Sequence, residues 1–224
     1  MHPVKKELAA LQSKAGAIHC MRYFKCGKGE YGEGDLFYGV PVGPVIKIAE
    51  KYKDIPLTEV EELLIDPYHE VRTVAIRILV AKMKTDDPKV IQNFYMAHTA
   101  GINNWDLVDV SAHYILQDRK DLLSKLSKSK NMWEQRMSVV GTWLLIRNGD
   151  LDLTYQHCEK FLSHPHDLMH KACGWMLREA GKRDEKRLKG FLEKHKKKMP
   201  RVMLRYAIEK FPPDVRKYFL ESSK

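Results

Sequence analysis

Asp109 is an acid in a helical run, Leu107-Val108 to Tyr114-Ile115, whose other members are mostly apolar or small. A carboxylate placed in such company must be paired, hydrogen-bonded or used. Trp105 precedes it by four residues and Trp175 follows Lys171 by four, spacings that put each pair on one helix face. An indole face attracts a cation by ~0.5–2 kcal/mol. An acid between indoles therefore suits a positive charge, whether carried by a ligand or developing in a reaction. The plainer alternative makes Asp109 and Arg136 an inter-repeat ion-pair ladder and Trp175 a packing residue.

Two other groupings look chemical and carry less. Gly27-Lys28-Gly29-Glu30-Tyr31-Gly32 matches GxGxxG, but that motif needs a strand before it and a helix N-terminus just after it. Here Ile18 to Phe24 reads as helix and the segment runs on into Glu33-Gly34-Asp35, so a structured glycine-rich loop over 27–43 is expected. His166, His170 and Cys173 have the i, i+4, i+7 spacing of a zinc face, yet no fourth ligand is evident, and no metal or other cofactor is expected. No GxSxG, Walker or HExxH motif is present, which removes the commonest hydrolase, NTPase and metalloprotease readings.

The elements that must position these residues are helices. Apolar spacing of three and four prevails, as in Val71-Val74-Ile78, and no period-two run of strand length occurs. Breaks at Asp66-Pro67, Asp87-Pro88, Asn103-Asn104, Asn148-Gly149-Asp150, His164-Pro165, Met199-Pro200 and Phe211-Pro212-Pro213 predict about twelve short helices. Aligning the helices after the breaks gives a weak repeat anchored on Arg72, Asp109, Arg136, Lys171 and Arg205, at intervals of 37, 27, 35 and 34. Two-helix units of this size stack into solenoids, and Asp66-Pro67…Val71-Arg72…Ala75 resembles a HEAT unit. The expected fold is an all-α, HEAT-like superhelix forming one domain over 1–224, with the anchors on a concave, basic groove.

Charge supports a polyanion as partner. The chain of 224 residues has 39 Lys+Arg against 29 Asp+Glu, and the whole excess lies after residue 112. Lys182 to Arg205 alone holds eleven basic residues, a density suited to gripping phosphates, although a solvated helix face gives the same composition. Apolar stretches are too short to span a bilayer, no secretory signal is visible, and Cys20, Cys26, Cys158 and Cys173 are too sparse to form a disulfide framework. A cytoplasmic protein is expected.

Several separated motifs resemble one family along most of the chain. They are Tyr23-Phe24-Lys25 leading into Gly29-Glu30-Tyr31-Gly32-Glu33-Gly34-Asp35 and Gly39-Val40-Pro41-Val42; Asn104-Trp105-Asp106-Leu107-Val108-Asp109; Trp133-Glu134-Gln135-Arg136; Gly174-Trp175-Met176-Leu177-Arg178-Glu179; and Met199-Pro200-Arg201…Leu204-Arg205-Tyr206-Ala207. In order and spacing these resemble the DNA alkylation repair family, the AlkD-like DNA glycosylases of HEAT-like repeats. One departure is Ile46, near which relatives tend to carry an arginine.

The resemblance implies an alkylpurine DNA glycosylase that acts on duplex DNA as a monomer, without a cofactor. Asp109 would be its catalytic acid, with Trp105 and Trp175 beside the lesion. Arg136 would contact the DNA backbone, and Lys171, Arg178, Lys182, Arg201 and Arg205 are the further cations expected to face it. A purine alkylated at N3 or N7 already carries the charge that leaving-group protonation would supply, so one carboxylate suffices where glycoside cleavage ordinarily uses two. The competing expectation is a non-catalytic HEAT-like scaffold binding nucleic acid or protein, which needs no acid in its groove.

Overall fold

The predicted breaks become helix caps. A computed structural model of the chain describes residues 1–221, and among these no strand occurs; a parallel bridge joins Leu36 to Tyr68. Its Cα packing falls into two compact units, Met1–Ile115 and Leu116–Lys224. The first holds α1 (Pro3–Ala10), α2 (Lys14–Tyr23), α3 (Val42–Lys51), α4 (Leu57–Leu64), α5 (His69–Lys82), α6 (Pro88–Ala97), α7 (Trp105–Asp109) and α8 (Ala112–Ile115). The second holds α9 (Lys120–Leu126), α10 (Met132–Val140), α11 (Trp143–Arg147), α12 (Asp152–Lys160), α13 (Asp167–Gly181), α14 (Glu185–His195), α15 (Arg201–Ala207) and α16 (Pro213–Glu221). Asp87 accepts from the Lys89 N–H with Pro88 in the first turn of α6, and Asn104 accepts from the Trp105 N–H at the start of α7.

Helix pairing follows the repeat read from the anchors. In the first unit α4 packs on α5, and α5 in turn on α3, α7 and α8; in the second, α9 packs on α10 and α12 on α13, while α10, α13 and α15 stack in sequence. Arg72, Arg136 and Lys171 lie on second members of these pairs, on α5, α10 and α13, while Asp109 lies on α7 and Arg205 on α15. That is the arrangement of an α-helical repeat protein. Gly174 permits the close approach of α13 to α15, since a Cβ there would sit 2.6 Å from the Met203 carbonyl oxygen.

The helix count expected from the breaks is too low, and the reason is local. The run from Leu107 to Ile115 is not one helix: α7 ends at Asp109 and α8 begins at Ala112. Ser111 lies between them, its hydroxyl donating to the Leu107 carbonyl at 2.6 Å and lying 2.8 Å from the Tyr95 hydroxyl. A hydroxyl that bonds back to its own backbone competes with helix continuation. The stretch from Met132 to Arg147 is likewise divided as α10 and α11 around Gly141-Thr142.

α5 is the buried axis of the first unit. Val71, Val74, Ala75, Ile76, Ile78 and Leu79 are fully buried, and so, nearly, are the polar residues of its first turn, His69, Glu70 and Arg72. Glu70 explains part of this, because its carboxylate accepts the backbone N–H groups of Tyr38, Gly39 and Val40 at 3.1, 2.7 and 3.2 Å and so anchors the end of the glycine-rich segment. Gly39 lies at φ +77°, and a Cβ there would be 2.2 Å from the Ala17 nitrogen. Gly39→Ala is therefore expected to lower the unfolding free energy by roughly 2–3 kcal/mol, read from the urea midpoint; an unchanged midpoint would show that this segment does not hold α2.

Candidate active site

α7 is five residues long and presents three candidate side chains. Trp105, at its start, stacks on Phe24 with ring centroids 5.6 Å apart and meets Tyr23 edge-on at 5.8 Å. These two rings come from the end of α2, so the indole is wedged by the segment before the glycine-rich loop. Asp106 points to His69, and its Oδ2 lies 2.8 Å from the ring Nε2.

Asp109, at the other end of α7, is half-buried and lines an open pocket of about 460 Å³. The pocket wall includes Arg77 and Lys84 from α5 and its end, His113 and Tyr114 from α8, and Glu50 from α3. The acid is thus neither sealed in the core nor turned wholly to solvent. Burial lowers the pKa of the His113 ring, against the opposing hydrogen bond to the Asp109 backbone, which favours neutral imidazole at pH 7. Burial also lowers that of Arg77, against the attraction of Asp106; its guanidinium stays cationic, and its Nε has no hydrogen-bond partner. Ile46 also lines the pocket, so α3 gives it an apolar edge there.

The second unit places the remaining candidates on its stacked helices. Trp175 is half-buried on α13, one turn beyond Lys171, whose ammonium pairs with Asp167 at 2.7 Å. Lys182 pairs with Glu179 at 2.6 Å, Arg178 lies between Glu179 and Glu209, and Arg201 donates to the Leu220 carbonyl at 2.6 Å. Arg205 is exposed on α15. Arg136 differs from all of these. It is only 4% exposed and its guanidinium donates to the Leu168 carbonyl, so it ties α10 to the first turn of α13. This bond and the low exposure count against the expected contact of Arg136 with the DNA backbone.

The two distracting motifs are accounted for. In the glycine-rich loop the Gly27 and Gly29 N–H groups are taken by the Glu30 and Glu33 carboxylates, each at 2.8 Å, so these amides face acids rather than a free anion site. His166 caps α13, its Nδ1 accepting from the Leu168 N–H, and His170 Nε2 bonds to the His164 carbonyl at 2.6 Å. No group of three potential metal ligands occurs among the described residues.

Sequence reading missed Arg77, His113 and Tyr114, which enter the Asp109 pocket from α5 and α8, and the contacts of Tyr23 and Phe24 with Trp105. Arg77 lies five residues after the anchor Arg72, a distance that signals nothing until α5 is seen against α7. Asp35 and His69 were also missed, since neither stands in a recognised catalytic spacing.

The chain was compared with known proteins. A family model described as DNA alkylation repair enzyme matches residues 4–211. Among solved structures, one described as "Predicted DNA alkylation repair enzyme from Enterococcus faecalis" is similar at a TM-score of 0.73 and 15% identity, over 90% of this chain and 97% of that one. The comparison with curated proteins finds no match. No helix among the described residues is long and apolar enough to cross a membrane.

Proposed function

The chain belongs to the DNA alkylation repair enzyme family, and from that premise we propose that it is a monofunctional, monomeric glycosylase excising N3- or N7-alkylated purines from duplex DNA. The observation that carries this reading is the half-buried Asp109 carboxylate in an open pocket of about 460 Å³, one helical turn from an indole.

The chemistry balances with these groups alone. The bond from the sugar C1′ to the purine nitrogen breaks, and its electron pair neutralises the positive charge of the alkylated base. No proton need be given to the leaving group. The positive charge passes to the sugar ring, where an anionic Asp109 stabilises it and orients a water. Water oxygen bonds to C1′, its proton leaves through the carboxylate to solvent, and the products are free base and an abasic site. Trp105 favours a cationic base over a neutral one through its π face. Trp175 is proposed as a second such indole, contributed by α13.

Lys171, Arg178, Lys182, Arg201 and Arg205 are proposed to meet phosphates. The ion pairs that several of them make do not argue against this, because exposed pairs stabilise by only ~0–1 kcal/mol and exchange readily for phosphate oxygens. Lys197 and Lys198 are exposed between α14 and α15, whereas Lys196 is held by Glu193 and lies 4.6 Å from the Tyr218 ring centre. Replacing Lys197 and Lys198 together by Gln is expected to flatten the log–log salt dependence of DNA binding by about 2, at ~0.9 per phosphate contact, with equal loss on all sequences. An unchanged slope would exclude them from the interface.

The deciding experiment incubates the purified chain with duplex DNA containing N7-methylguanine. Free base and abasic sites are the expected products. A shift in DNA mobility with every base still attached would instead identify a binding scaffold.

A further inference from the structure

Three parts of the first unit meet at one histidine. His69 opens α5 and is 2% exposed. Its Nδ1 lies 3.0 Å from Asp35 Oδ2, in the glycine-rich segment, and its Nε2 lies 2.8 Å from Asp106 Oδ2, on α7. A neutral imidazole has one N–H and one acceptor nitrogen, while ionised carboxylates only accept. Two carboxylate partners therefore require a proton on both nitrogens. The ring also stacks on Phe37 at 4.9 Å and packs against Phe24 at 4.7 Å, faces that favour a cation. Phe24 in turn stacks on Trp105. The histidine thus reaches α7 twice, by a charged hydrogen bond to Asp106 and through Phe24 to the indole next to it.

We propose that His69 is a positioning residue for the helix that carries Trp105 and Asp109, acting through Asp106 and Phe24 and only while its ring is an imidazolium. The inference rests on the glycosylase reading for its effect on rate, but not for its geometry.

Electrostatics agree with that protonation state. Burial alone would lower the His69 pKa; the Asp106 charge and the hydrogen bonds to Asp106 and Asp35 outweigh burial and the repulsion of Arg72, raising it to about 9. The sign is that of a raised histidine. The stabilising contacts are complete below the ordinary imidazole pKa and are lost as pH rises through about 9.

When the proton leaves, one bond must fail, and the surroundings select which. Asp35 is 4% exposed and also binds Arg72 through Oδ1 at 2.7 Å, whereas Asp106 is 20% exposed and its Oδ1 has no hydrogen-bond partner. Water can reach Asp106 more easily, so the remaining ring N–H stays on Asp35 and the Asp106 arm is released. Charged and titratable groups around the ring are Asp35, Glu70, Arg72, Asp106 and, from α2 and the following loop, His19, Cys20, Tyr23 and Cys26, while Arg77 acts on Asp106. Burial pushes the Cys20 thiol above its ordinary value and that of Cys26 up to about 11, so both lie on the alkaline side of a transition at about pH 9.

The test measures single-turnover release of N7-methylguanine by the full chain from pH 6.5 to 10, with enzyme-free release subtracted, alongside NMR of the His69 ring and the Trp105 indole N–H. The rate is expected to fall about 10-fold or more through about pH 9, with both resonances moving at the same midpoint. Asp106→Asn should shift all these midpoints to lower pH. His69→Gln should leave a rate ~10–100-fold lower and flat across the window. Midpoints unmoved by Asp106→Asn, or a wild-type profile in His69→Gln, would overturn the proposal. Co-titration of His69 and Trp105 without any base release would uphold the coupling and reject the glycosylase reading; base release without co-titration would do the reverse.

Discussion

Asp109→Asn is expected to reduce release of N7-methylguanine or N3-methyladenine from duplex DNA by ~10²–10³-fold while duplex binding persists. The substitution keeps size and shape, removes the charge and turns one accepting oxygen into a donating NH2. The carboxylate is proposed both to stabilise positive charge at the sugar and to orient the water and accept its proton, and a loss of this size corresponds to losing one preorganised electrostatic contact together with that base. Binding should not suffer, since deleting a negative charge beside phosphates removes a repulsion. The variant's thermal midpoint separates this outcome from misfolding. Release at the wild-type rate would remove Asp109 from the mechanism and return it to the role of a structural acid.

That experiment weighs the residue on which sequence was most informative. The four-residue spacing of Trp105 and Asp109 spans α7 from end to end, but it did not show that the indole packs on Phe24 while the acid lines a separate pocket; the caps at Asp87-Pro88 and Asn104 were legible because they act within a few residues. The repeat was legible in part: Arg72, Arg136 and Lys171 fall on the second helices of packed pairs. What sequence could not supply were meetings across long separations. Asp35 and Asp106 are 71 positions apart, yet both reach His69, and Arg77 joins Asp109 only because α5 and α7 pack side by side. The burial of Arg136 was not legible either, for a physical reason. Arg136 had the charge and helix position of a phosphate ligand, but a long guanidinium can also satisfy a neighbouring helix's carbonyl, and charge counts do not tell the two apart.

Asp35→Ala is expected to destabilise the chain by about 3–5 kcal/mol, because it removes the common anion of two buried cations. Arg72 donates to Asp35 Oδ1 at 2.7 Å and His69 Nδ1 meets Oδ2 at 3.0 Å, with all three side chains at most 4% exposed. Burial would raise the Asp35 pKa, but the His69 hydrogen bond and the Arg72 charge outweigh it and hold the carboxyl below its usual value. For a lowered carboxylate the stabilisation is present above the ordinary carboxylate pKa and is lost as pH falls through the folded value. The wild type should therefore lose stability on this account only in acid, and on account of His69 only near pH 9. Without Asp35, the acid-side loss from this site should vanish, and the alkaline loss should begin at lower pH because His69 keeps one carboxylate instead of two. Urea midpoints from pH 3 to 10 measure both slopes. A deficit under ~1 kcal/mol, or an alkaline slope unmoved by the substitution, would mean that Asp35 and His69 are not coupled as their geometry requires.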